Sequence, residues 1–496
     1  MYGKLKTLIR HTVVYGLGAS GTRAIGFFLI PVYTRYLTPA DYGVLALVAV
    51  LDQALFIIMN MGQSTALFRT YFNHDSAEDR QTVLTTSLWL IALTALPVGL
   101  LALAFSEPLA LLLTGSGGYT AWVMIGIGAV MFKTLGRLPF AVLRAKEQSQ
   151  RYAWFSSART GVGMALAIIF VVGLHLGGRG VLLSQLFAEL ALCAILCPIT
   201  LKGLKLKFSR RDAGDLLGYG VYLLPSGLLM FVLHLGDRYF LKHYGSLAAV
   251  GLYALGYRFA EILSFVMAAF QLAWPQFLFS NRKSPDAPAL YARVFTYVVA
   301  VTGFLWLGLA LFAEDIVHVM AAPAFQEAYR VVPWIAGAFF FDALAVAGNI
   351  GMPMHRKVKY RPLILTLVVA INLGLNFTLV PRWGASGAAI TVCVSSGVKL
   401  FLELIVGYRF YPVPYEYARV FRLAAVGAAA YWIGSSIAWG SLGMSVGGKL
   451  FLLLCAPLVL YATSFFVADE LHRLRLSLSN VRRWSTALRA AGGDGR

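Results

Sequence analysis

Fourteen long apolar runs limit what this 496-residue chain can fold into. They cover residues 12–33, 41–61, 81–104, 119–137, 152–174, 180–200, 213–236, 247–271, 292–312, 329–350, 362–380, 384–407, 420–439 and 448–467. A hydrocarbon core about 30 Å thick is crossed by roughly 20 residues of helix, and every run reaches that length to within a residue or so. Only helices and closed barrels satisfy backbone polar groups in lipid. The short alternating strands of a barrel are absent from the sequence. The runs therefore predict an all-α polytopic membrane protein with about 14 transmembrane helices. Composition agrees: 59% of residues are hydrophobic and 13% charged, against about a quarter charged in a soluble domain. That balance excludes an ordinary cytosolic enzyme, a disordered scaffold and a nucleic-acid module.

Charge gives the orientation. The net charge is +20, from 42 Lys and Arg against 22 Asp and Glu. Basic residues collect in cytoplasmic loops. With the amino end inside, and residues at run ends counted with the adjoining loop, inner segments hold 30 of the 42 basic residues and outer loops hold 7. Missing one run in mid-chain would erase that bias, so both termini are expected in the cytoplasm. Lys4, Lys6 and Arg10 precede the first run. That run is too long for a signal peptide and lacks a small-residue cleavage site, so it reads as a retained span. The longest outer segment is only Ala313 to Ala328. The tail, with Arg473, Arg475, Arg482, Arg483 and Arg489, is a topology anchor or a contact for anionic lipid. Cys193, Cys197, Cys393 and Cys455 all lie in apolar runs, so neither a disulfide framework nor a zinc site is expected.

The chain repeats itself. Residues 36–63 and 244–271, offset by 208, share Tyr36/Tyr244, Gly43/Gly251, Ala46/Ala254, Leu47/Leu255, Leu55/Leu263, Met59/Met267 and Gln63/Gln271. The offset lays run 2 on run 8, which has the same orientation. Parallel repeats about an axis along the membrane normal are a transporter design, with substrate between the halves. The expected organisation is two pseudo-symmetric six-helix lobes, 1–208 and 209–410, two additional helices in 411–467, and a basic cytoplasmic tail, 468–496.

Three segments carry a family resemblance. GTRAIGFFLIPVYTRYLTPADYGVLALV (Gly21 to Val48) resembles the first hairpin of bacterial polysaccharide flippases of the Wzx type, in the multidrug/oligosaccharidyl-lipid/polysaccharide exporter superfamily. GDRYFLKHYGSLAAVGLYALGYRFAEI (Gly236 to Ile262) resembles its counterpart opening the second lobe, and NLGLNFTLVPRWGASGAAIT (Asn372 to Thr391) the hairpin between spans 11 and 12. The resemblance implies a V-shaped pair of lobes in the bacterial cytoplasmic membrane. It implies translocation of an undecaprenyl-diphosphate-linked oligosaccharide to the outer leaflet by alternating access, for O-antigen or exopolysaccharide synthesis. Polysaccharide polymerase and chain-length machinery are the implied partners, and no cofactor is implied.

Charges inside spans are costly and are candidates for function. Arg23, Asp52 and Arg258 each lie about 11 residues into a run, roughly 16 Å deep. Glu261, Glu189 and Asp342 are also near mid-depth. A lipid diphosphate needs fixed cations facing a wet cavity, and guanidinium forks suit phosphate oxygens. Arg23 and Arg258, one from each lobe, are the candidate substrate contacts. The resemblance points the same way, since its members carry cavity arginines on spans 1 and 8. The alternatives are an Arg23–Asp52 structural pair and neutralisation of Arg258 by Glu261, three residues along the same helix. Asp52, Glu261 and Asp342 are either ion-coupling acids or charge pairs. Lys133 is expected to reach toward the cytoplasmic interface, and Lys399 and Glu403, four apart, to pair with each other.

Other signals are weaker. Gly16 to Gly21 matches GxGxxG but follows no strand, so a dinucleotide site is rejected. No metal-ligand spacing and no catalytic triad spacing stands out, and the chain is not expected to be an enzyme. Two rivals remain: a cation-coupled multidrug exporter of the same superfamily, and an integral-membrane glycan polymerase or ligase. The second would need a large catalytic outer loop that the sequence lacks.

Overall fold

The computed structural model describes residue 27 and residues 29–202, 207–355, 357, 359–437 and 440–465. Every regular element among them is helical. The first half holds α1 (Ile30–Tyr36), α2 (Pro39–Asn60), α3 (Gln63–Phe72), α4 (Ala77–Ala104), α5 (Ser106–Thr114), α6 (Thr120–Leu135), α7 (Arg137–Ala145), α8 (Ser149–Ile168) and α9 (Gly177–Leu201). The second holds α10 (Arg210–Leu235), α11 (Asp237–Tyr244), α12 (Leu247–Ala260), α13 (Ile262–Asn281), α14 (Ala287–Met320), α15 (Val332–Gly348), α16 (Gly351–Met354) and α17 (Tyr360–Phe410), followed by α18 (Tyr417–Ser436) and α19 (Leu442–Ala462).

Local sequence sets where helices begin. Thr38 caps α2: its hydroxyl accepts from the Asp41 N–H at 3.1 Å and the Asp41 carboxylate accepts from the Thr38 N–H at 3.1 Å. Ser76, Ser209, Ser246 and Ser441 cap α4, α10, α12 and α19 in the same sense. Each hydroxyl satisfies one of the orphan N–H groups that open a helix. Thr38 and Ser246 are 208 residues apart, so the repeat extends to the caps.

Among the described residues, eleven helical segments are long and apolar enough to cross a membrane. The described helices alone do not reach the expected fourteen. Most of run 1 lies outside the described residues, and runs 11 and 12 share α17. Run 13 is α18, which opens with Arg419 and Arg422 and is not among the eleven. α17 has 51 residues but is not one rod, because Gly384 breaks it with φ 54° and ψ −129°. Asn372 Nδ2 donates to Ser395 Oγ at 3.1 Å. In a continuous helix those residues would be about 34 Å apart, so the chain doubles back at Gly384. A Cβ on Gly387 would strike the Leu379 carbonyl, which leaves only glycine for so tight a hairpin.

The two halves meet where α2 crosses α12. A Cβ on Gly43 would overlap the Leu247 carbonyl oxygen, and a Cβ on Gly251 would overlap the Pro39 carbonyl oxygen. Positions 39 and 247, like 43 and 251, are repeat equivalents. Contact of i with j′ and of j with i′ is the mark of a local two-fold axis. Missing side chains let the backbones touch, as small residues do in packed membrane helices. One apolar core runs through the crossing, from Val44, Leu47 and Val123 to Leu255, Phe259 and Val392.

The crossing lies at the ends of runs 2 and 8 that the charge bias places outside. Nearby, the Ala322 N–H donates to Thr34 Oγ1 at 3.2 Å, and the rings of Tyr42 and Phe325 pack edge to face at 5.7 Å. At the opposite end the contacts differ. Gly62 (φ 68°) abuts Gly220, His74 Nε2 lies 3.0 Å from Asp212 Oδ1, and Lys207 Nζ lies 2.7 Å from Glu78 Oε1.

The glycine crossing predicts a seal. Gly43→Leu or Gly251→Leu should force α2 and α12 apart. A cysteine reporter, Arg258→Cys, should then gain labelling by a membrane-impermeant maleimide added outside, where the reporter alone is protected. Equal labelling in both backgrounds would show that the seal lies elsewhere.

Candidate functional site

Arg258 sits in the last turn of α12 and is exposed, while its neighbours Leu255, Phe259 and Ala260 are buried. The groups facing its guanidinium are the hydroxyls of Tyr42 and Tyr33 from the first half, and Glu261. Both tyrosines are buried. The arginine thus stands where the second half faces two buried tyrosines of the first. Among the described residues no carboxylate comes within salt-bridge distance of it. Glu261 lies one turn on, at the break between α12 and α13, and also has no basic side chain at ion-pair distance among the described residues. Arg23, the other candidate substrate contact, lies outside the described residues.

The remaining mid-depth acids are compensated, each by a base on a neighbouring helix. Asp52 on α2 accepts from Lys133 on α6 at 2.5 Å. Lys133 therefore turns into the protein toward Asp52, not out to the interface as expected. Its ammonium also lies 5.2 Å from the centre of the Phe56 ring. Glu189 on α9 pairs with Arg159 on α8 at 3.0 Å. Asp342 on α15 pairs with Lys399 on α17. The expected Lys399–Glu403 pair does not form, and Glu403 is met instead by Arg361 at 3.5 Å. A partner within one helix is worth only about 0.2–0.5 kcal/mol in water. In a low-dielectric interior, a better-aligned base on an adjacent helix wins.

Two further clusters escaped the sequence reading. Asp237 and Arg238 follow run 7 and looked like loop residues, yet both are buried. Arg238 Nη1 lies 3.4 Å from Asp237 Oδ1 and donates to the His234 carbonyl at 3.0 Å, while its guanidinium lies 4.7 Å from the Tyr257 ring centre. The Tyr253 hydroxyl donates to Asp237. The available signal was the adjacent Asp–Arg pair directly behind an apolar run. The second cluster ties the appended helices to the second half: Lys449 Nζ lies 2.5 Å and Ser445 Oγ 2.7 Å from the Asp315 carboxylate. Among the described residues no three His, Cys, Asp or Glu side chains group as a metal site.

Among the described residues the mid-depth ion pairs thus lie within one half or the other, and Arg258 faces the first half with no carboxylate at salt-bridge distance. That arrangement suits an anion.

A family model described as "Polysaccharide biosynthesis protein" matches residues 32–330, more than half of the chain. The succinoglycan biosynthesis transport protein ExoT of Rhizobium meliloti (strain 1021) is 25% identical over 341 residues. That alignment takes in 67% of this chain and 66% of the relative, so the chain spans just under two thirds of that protein's length. Among solved structures, the lipid II flippase MurJ in an inward closed conformation superposes with a TM-score of 0.72 at 12% identity, over 91% of this chain and 99% of that one. An inward-facing multidrug resistance transporter of the MATE family superposes with a TM-score of 0.63 at 14% identity, over 83% and 99%. The chain belongs to the polysaccharide biosynthesis protein family and is a multi-pass membrane protein with the fold of the MurJ and MATE structures.

Proposed function

We propose that this protein is a flippase that moves an oligosaccharide linked to undecaprenyl diphosphate from the inner to the outer leaflet of the bacterial cytoplasmic membrane. The observation that carries the proposal is Arg258, a cation of the second half faced by Tyr33 and Tyr42 of the first and without a carboxylate at ion-pair distance among the described residues. A diphosphate crossing the bilayer needs such a cation, and a bidentate guanidinium fits phosphate oxygens better than an ammonium does. The two halves, 1–208 and 209–410, are the rocking units of an alternating-access cycle, with both termini cytoplasmic. Arg23, at similar depth in run 1, is the proposed partner of Arg258. The likeness to a succinoglycan biosynthesis transport protein favours a repeat unit of a polysaccharide as the cargo.

A second feature supports a lipid-linked cargo. An apolar groove of about 650 Å³ runs between α13, α14, α18 and α19, bordered by Phe270, Val298, Val301, Leu423, Pro457 and Leu460. It offers a prenyl chain a path along the flank while the headgroup travels in the gap. The multidrug-exporter reading fares less well. An organic cation needs uncompensated acids; here Asp52, Glu189, Asp342 and Glu403 each have a base beside them, and Glu261, without an ion-pair partner among the described residues, faces two arginines.

Of the three candidate coupling acids, Asp52 and Asp342 are engaged by lysines, which leaves Glu261 for the coupling role. It faces Arg258 and Arg238.

Arg258→Ala should leave membrane insertion intact and stop glycan export, with lipid-linked repeat units accumulating inside. Losing a charge-assisted contact of about 1.5–3 kcal/mol should weaken prenyl-diphosphate binding roughly ten- to hundredfold, and Arg258→Lys should recover some of it. Export at the normal rate by Arg258→Ala in a reconstituted leaflet-translocation assay would defeat the proposal. In the same assay Glu261→Gln should remove the dependence of the rate on an imposed proton gradient. If that dependence persists, Glu261 is not the coupling acid.

A further inference from the structure

We propose that the first half contains a second anion site, formed by Lys133, Arg137 and Arg159, that receives the substrate's diphosphate on the cytoplasmic side of Arg258. The inference rests on the flippase reading and adds a stage to it. Two cavities carry it. The larger, about 280 Å³, is bordered by Tyr33, Thr160, Ser184 and Gln185, and by the Arg159–Glu189 pair. The smaller, about 50 Å³, is bordered by Lys133, Arg137, Tyr152 and Ser156, and by the same pair. Arg159 and Glu189 thus form a shared wall. Tyr33 borders the larger cavity and also faces Arg258. A polar string therefore leads from the gap through the larger cavity to Arg137, which lies at the end of run 4 that the charge bias places inside.

The charges of the inner cavity do not balance. Asp52 answers Lys133 and Glu189 answers Arg159. Arg137 has no carboxylate at salt-bridge distance among the described residues. Its guanidinium lies 5.0 Å from the centre of the Phe56 ring, whose other cation is Lys133 at 5.2 Å. Arg159 and Arg144 also act on Arg137 as like charges, against Glu189 as the opposing acid. Arg137 is itself exposed, so an anion can reach it, and like charges gathered around one small cavity repel unless an anion joins them. At about 10–15 Å³ per water, the inner cavity has room for roughly three to five waters or one phosphoryl group. A phosphoryl group entering from the larger cavity would meet Arg159 at the wall and could take the place of Glu189 there. Arg137 and Lys133 would then close around it.

The source of the anion separates two cases, a lipid headgroup or a free phosphate. Full-length protein in nanodiscs would be titrated with undecaprenyl diphosphate and, separately, with inorganic pyrophosphate. Arg137→Ala should weaken undecaprenyl diphosphate binding roughly ten- to hundredfold, and Arg137→Lys should weaken it less. Pyrophosphate should compete with the lipid in the wild-type protein. Arg137 has no acid to leave stranded, so the alanine variant should keep the wild-type melting temperature. If it does not fold, the lysine variant, which keeps the charge but loses the fork, carries the comparison. Loss of pyrophosphate binding alone, with lipid binding intact, would overturn the substrate assignment and leave a free-phosphate site. Wild-type binding of both probes by Arg137→Ala would reduce Arg137 to a topology anchor. Arg258→Ala in the same titration keeps the two readings apart. If it weakens lipid binding while Arg137→Ala does not, the inner site fails and the flippase reading stands. If neither variant weakens it, both fail.

Discussion

Carbonyl oxygen against α-carbon is about as close as two helices can come, and α2 and α12 do so at two symmetry-equivalent places. Gly43 meets Leu247 and Gly251 meets Pro39. Everything else about the gap follows from that contact. It brings Tyr33 and Tyr42 of the first half within reach of Arg258 of the second. It closes the gap at one end while the bend at Met61 and Gly62, both with positive φ, turns the first half toward α10 at the other. Any cycle that opens the sealed end has to separate backbones in direct contact, and no side chain can stretch to bridge the opening.

The interior obeys a simple electrostatic discipline. Ion pairs tie α2 to α6, α8 to α9, α15 to α17 and α14 to α19. These pairs act as struts, and where both partners are buried, as in Lys449–Asp315, removing one typically costs about 3–5 kcal/mol. They stiffen each half without joining it to the other. On the proposed reading, the groups left over do the work: Arg258 and Glu261 at the gap, and Arg137 at the cytoplasmic side.

Membrane class and helix placement were legible in the sequence because lipid enforces them: apolar length and basic loop bias are read directly from residues. The repeat was legible through Gly43/Gly251, and its meaning became visible only when the two glycines met. The partners of the charges were not legible. Asp52 stands with Lys133, while Arg23, its other expected partner, lies outside the described residues; Lys399, spaced to meet Glu403, stands with Asp342. Sequence spacing reports neighbours along one helix, whereas these pairs depend on which faces of different helices are packed together. Burial of Asp237 and Arg238 was missed for a related reason, since a short helix tucked behind run 7 looks like a loop.

The reciprocity of the glycine crossing has an evolutionary consequence. A lone ancestral unit carrying that glycine would have been self-complementary and would have associated with its own copy as a homodimer. Fusing the two copies into one polypeptide freed them to diverge without losing their mate. The acid at Asp52 has Ala260 at the equivalent position, so the two copies differ on the very helices whose joint still holds them together.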